Sequence, residues 1–165
     1  MRRLKEQLKI LLLLILIVSV ASAAERSRID RRFRADLSGM KEIPPVDTKA
    51  TGKVDFELPK EADRLIYNLV ITDIEDITGA QIHMGKPGES GPPVATLLSE
   101  PKEPAISGTL FSEGRIEAYE LAGPLKGKPL RSLIEMIESG DAYVNVHTRK
   151  HPEGEIRGQI TADKI

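Results

Sequence analysis

The chain has 165 residues, which suits one domain, and its 24 Lys+Arg against 25 Asp+Glu remove the electrostatic case for nucleic acid. Aromatic residues make up 4% and Trp is absent, which argues against a stacking platform for bases or sugars. Cys is absent too, which excludes disulfides, a lipid-modified cysteine and a thiol nucleophile.

The first stretch reads as a secretory signal. Arg2, Arg3, Lys5 and Lys9 form a positive start, Ile10 to Val20 is an apolar run, and Ala21-Ser22-Ala23 is a small-residue cleavage site. The run is shorter than the roughly 20 residues a comfortable membrane span needs, so an uncleaved anchor is the lesser alternative. Removing residues 1–23 takes away four basic residues and Glu6, and moves the net charge from −1 to −4. The expected division is therefore 1–23 signal peptide, 24–32 charged extension with a frayed start, and 33–165 one β domain. No membrane contact is expected after cleavage.

Phe33, Ala35 and Leu37 alternate with Arg34 and Asp36, which predicts a first strand ended by Ile43-Pro44-Pro45. Lys53 to Leu58 alternates with Val54, Phe56 and Leu58 inward. Leu65 to Thr72 puts Leu65, Tyr67, Leu69 and Ile71 on one side, while Ile66 and Val70 on the other suggest a central strand. Asp73, Glu75 and Asp76 cluster in a loop, but their spacing fits no EF-hand, so a solvated acidic loop is expected. Ile77 to Met84 predicts a strand with Ala80, Ile82 and Met84 on one face and Gln81 and His83 on the other. The glycines of 85–91 run into Pro92-Pro93 and not into a helix, so they make no phosphate cradle.

A short strand over Val94 to Leu98 and a connector with Pro101-Lys-Glu-Pro104 follow. Ala105 to Leu110 and Arg115 to Leu121 read as two strands split at Ser112-Glu-Gly114. Pro129 to Ser139 predicts the one helix, with Leu130, Leu133, Ile134 and Ile137 on a single face, Pro129 at the first helical position and Gly140 past the end.

The closing stretch from Asp141 to Gln159 predicts a hairpin. Val144, Val146, Ile156 and Ile160 should face a core. Tyr143, Asn145, His147, Glu155, Arg157 and Gln159 then share the opposite face. The simplest reading is a solvated face with cross-strand pairs such as Glu with Arg. The sharper one is a binding cluster of Gln81, His83, Tyr143, Asn145, His147, His151, Glu155 and Arg157. About eight short strands at regular spacing plus one helix argue an all-β antiparallel sandwich.

Tyr143-Val-Asn-Val-His147-Thr and His151-Pro-x-Gly154-Glu-Ile-Arg-Gly-Gln159 resemble the closing motif of the CHRD domain, first described in chordin. Phe33 to Gly39, Glu42-Ile-Pro-Pro-Val46 and Thr51-Gly52 resemble the family's opening strand, its Pro-Pro turn and its second strand. Gly79-Ala-Gln-Ile-His83-Met-Gly85 with Gly88-x-x-Gly91-Pro-Pro-Val94 resembles its central motif, where the family's usual His-Ile-His has Gln81 in first place. The resemblance runs from about Phe33 to Ile160. It implies a secreted immunoglobulin-like β-sandwich of the single-domain microbial type, with no defined activity. In chordin such domains belong to an extracellular antagonist of signalling proteins.

All three histidines, His83, His147 and His151, lie in these motifs. They are the candidate ligands of a copper or zinc alternative, and the stretch is similar at fold level to copper–zinc superoxide dismutase. That enzyme needs more imidazoles than the chain owns. No Gly-x-Ser-x-Gly is present and no carboxylate pair stands out. The expectation is a secreted, non-catalytic domain without a cofactor. Its hairpin would be pinned by hydrogen bonds, and it would bind an unidentified extracellular or envelope protein or a surface ligand.

Overall fold

The computed structural model describes residues 29–99 and 107–163. The signal-like segment, residues 24–28 of the charged extension and the connector at 101–106 lie outside the described residues. The described residues fold as an all-β domain with one α-helix among them. The strands are β1 (Ile29–Ser38), β2 (Thr51–Pro59), β3 (Arg64–Ile74), β4 (Ile77–Met84), β5 (Pro93–Leu98) and β6 (Gly108–Glu117), then β7 (Ala142–Thr148), β8 (Ile156–Gln159) and β9 (Thr161–Ala162). The helix α1 (Leu130–Glu138) leads into β7.

The strands follow the order β5-β4-β7-β8-β1-β2-β3-β6, in antiparallel pairs. The order divides into two four-stranded halves. They meet where β8 touches β1, at the single pair Ser38–Arg157. Past Gln159 the chain changes halves, and β9 pairs with β1 at Phe33–Ala162. The sheet thereby doubles over on itself and is nearly closed. Its inner surface is one core containing Phe33, Val54, Phe56, Leu69, Ile82, Val144, Val146 and Ile156, roofed by Leu130, Leu133, Ile134 and Ile137 of α1. Burial of this apolar area is the main stabilising term.

Several expectations shift by a few residues. Ile29–Arg32 already belong to β1, because Arg31 pairs with Leu58 and Arg32 with Glu57, so the charged extension is in part strand. Arg32 is ion-paired with Glu57 and Arg34 with Asp55. Pro129 sits just before the helix and not at its first position. β3 is central, as Ile66 and Val70 suggested, although its outer side is only half-buried.

One correction is larger. Residues 108–117 form one continuous strand against β3, and Gly114 does not split it. Gly114 faces Tyr67 across the ladder, and a Cβ there would come within 2.6 Å of the Tyr67 hydroxyl. The glycine makes room for the ring. The Tyr67 hydroxyl donates to the carbonyl of Leu97 on β5 at 2.7 Å, and the Ser112 hydroxyl donates to the same oxygen. Side chains therefore tie the two outer strands together where no ladder joins them.

Candidate functional site

The register of β4, β7 and β8 assembles the polar face. Gln81 lies opposite Asn145 and His83 opposite Tyr143, while Asn145 faces Arg157 and Tyr143 faces Gln159. His83, His147 and Arg157 thus share one sheet face, as the alternation required. The face is not solvated, which corrects the simplest expectation. His83, Tyr143, Asn145, Glu155 and Arg157 are all buried. Three loops, 39–50, 85–92 and 149–155, fold over it.

Loop backbone carries polar groups that cannot be left bare when buried. The side chains of the face meet that need. His83 Nδ1 lies 2.9 Å from the carbonyl of Gly91, and His147 Nδ1 lies 3.0 Å from that of Pro152. Asn145 Nδ2 donates to Glu153 O at 3.1 Å. Gln159 Nε2 donates to Gly85 O at 3.0 Å and to Gly140 O at 2.6 Å. Arg157 donates to Glu89 O. The Tyr143 hydroxyl accepts from the Gly91 N–H at 3.1 Å. The Glu155 carboxylate accepts from Thr148 and from Thr48, each at 2.7 Å, and so holds the 39–50 loop.

The rings stack in order. Tyr143 lies between His83 on the β4 side, at a 5.1 Å centroid distance, and Arg157 on the β8 side, whose guanidinium carbon sits 3.4 Å from the ring centre. The second contact is a cation–π interaction. The His83 and His147 rings are 5.7 Å apart. Burial pushes both imidazoles below their ordinary pKa, against the opposing effect of their carbonyl partners.

Glu42 is a member that sequence reasoning missed. It is buried beside Arg157 and Gly154. Burial raises its pKa to about 7, against the lowering effects of Arg157 and of the Ile43 N–H. Glu42 sits in an irregular loop, where periodicity has nothing to say. Its place in the segment that resembles the Pro-Pro turn was the one available signal.

Two candidates stand apart. His151 serves through its backbone, accepting from the N–H groups of Thr148 and Gly154. Gln81 is half-buried and borders a recess of about 440 Å³ shared with Thr96, His147 and Pro152. Among the described residues no group of three or more His, Asp or Glu side chains is placed to hold a metal ion. The set His83, His147 and His151 is therefore not assembled. Asp73, Glu75 and Asp76 are exposed.

The family model for the CHRD domain matches residues 33–160. The chain belongs to the CHRD family. The match starts within β1 and ends just after β8, so it takes in the whole polar cluster, Glu42 included. CHRD domains are extracellular-type binding modules. In this CHRD domain Gln81, the departure from the usual His-Ile-His, falls at the border of the recess beside His147. No curated protein matches the chain. No helix among the described residues is long and apolar enough to cross a membrane.

Proposed function

We propose that this CHRD domain is a secreted, non-catalytic binding module whose partner, an extracellular or envelope protein, meets the loops pinned on the polar face. One observation carries the reading. The side chains that a catalytic site would hold toward a substrate are bound here to loop carbonyls: His83, His147, Asn145, Arg157 and Gln159 each grip one. Loops anchored in this way lose little freedom on binding, which lowers the entropic cost of association. The 39–50 loop carries the apolar side chains to offer, since Met40 and Ile43 are exposed while Glu42 between them is buried. Export is supported by the signal-like layout of residues 1–23 and by family membership.

The test is binding of the labelled mature protein to native envelope or cell-surface preparations. Wild type should bind saturably. Met40→Asp with Ile43→Asp should weaken binding about tenfold or more at an unchanged melting temperature, as loss of a buried apolar anchor does. Absence of saturable binding, or binding indifferent to both substitutions, would refute the reading.

A further inference from the structure

We propose that His83 and His147 form a two-imidazole site for a copper or zinc ion, beyond their part in holding the loops. Each ring uses only one nitrogen in the cluster. A carbonyl oxygen can only accept, so the Gly91 and Pro152 contacts place the proton on Nδ1 in both rings. The lone pair is thereby left on Nε2. In both residues Nε2 is buried and has no hydrogen-bond partner among the described residues. Two bare lone pairs in neighbouring rings are costly to bury unless something binds them.

The arrangement is that of metal-binding histidines, which nearly always donate the other ring N–H to a carbonyl or carboxylate and so fix tautomer and orientation. The spacing fits as well. With metal–nitrogen bonds of about 2.0–2.1 Å, two ring centroids lie about 5.1 Å apart at a tetrahedral angle and about 6.3 Å apart when linear. The observed 5.7 Å falls between the two. The Arg157 guanidinium is engaged over the Tyr143 ring, 3.4 Å from its centre. A recess bordered by Gln81, Thr96, His147 and Pro152 opens beside His147. Imidazole suits copper and zinc and not magnesium, and two protein ligands leave further positions open to water.

This inference is independent of the partner-binding reading, because it concerns ring nitrogens inside the cluster and not the exposed loop. The experiment is long-range ¹H–¹⁵N spectroscopy of the histidine rings in the metal-stripped full chain, titrated with Zn²⁺, with Mg²⁺ as control. The metal-free spectrum should show the Nδ1–H tautomer for His83 and His147. One equivalent of Zn²⁺ should shift Nε2 of both and leave His151 in place. Zn²⁺ or Cu²⁺ at about a hundredfold excess over Kd should raise the melting temperature by several degrees. Calorimetry on His83→Gln and His147→Gln should show affinity lowered about tenfold or more. If either variant fails to fold, the wild-type spectrum decides. Shifts confined to His151, a response equal with Mg²⁺, or no shift at tenfold excess of zinc would overturn the proposal.

Discussion

Replacing Glu42 by Gln should make the protein more stable at alkaline pH and change little at acid pH. Glu42 is 7% exposed, and its Oε1 has no hydrogen-bond partner among the described residues. Its pKa rises from 4.5 to about 7, through burial first, with Arg157 opposing. The folded chain therefore holds this proton more tightly than the unfolded chain does. The associated stability is fully present below pH 4.5, declines as the pH rises above that value, and is lost once the pH passes about 7. The shift corresponds to about 3 kcal/mol, at about 1.4 kcal/mol per pH unit. Gln cannot ionise, so Glu42→Gln removes this slope. The assay is urea denaturation of both proteins at pH 4.5, 6 and 8. The variant should be more stable by about 2–3 kcal/mol at pH 8 and within about 1 kcal/mol of wild type at pH 4.5. Comparing the two proteins cancels the titration of every other group. A stability difference that does not change with pH would show that Glu42 is solvated and that its burial does not set its pKa.

The histidines should act with the opposite sign. Their lowered pKa values mean that the unfolded chain takes up protons first, so stability falls as the pH drops below 6.5, and His83→Phe should flatten that acid limb in the same denaturation series. Gly154→Ala should cost at least about 2 kcal/mol, since φ is +137° and a Cβ would sit 2.5 Å from Asn145 Nδ2 and 2.7 Å from Glu42 Oε1; wild-type stability would contradict the packing of the 149–155 loop. Tyr67→Phe should lose about 1 kcal/mol by removing the shorter of the two hydroxyl bonds to Leu97 O, with Ser112 still donating to it, and calorimetric melting reads this directly. The intact mass of the exported protein should correspond to a start at Ala24 or Glu25, and retention of Met1 to Ala23 would indicate an anchor.

The alternation of single residues settled much of this protein. Val54, Phe56 and Leu58, and Val144 and Val146, point inward because side chains on a strand alternate, and Leu130, Leu133, Ile134 and Ile137 share a face because a helix turns every 3.6 residues. The same alternation placed His83, His147 and Arg157 on one face. Periodicity states which residues share a face; it does not state what lies over that face. The coverage of Tyr143, Asn145 and Arg157 came from loops distant in sequence, through contacts such as Thr48 with Glu155 and Arg157 with Glu89. Gly114 likewise read as a strand break until Tyr67, from a partner strand, occupied the space above it. Glu42 lay in a loop where no repeat exists to be read. Local pattern determined most strands, the helix and the inward phase of each, but not the continuity of β6. Long-range packing alone decided that the outer face of the closing hairpin is a second, polar interior, because burial depends on what the rest of the chain brings against a surface.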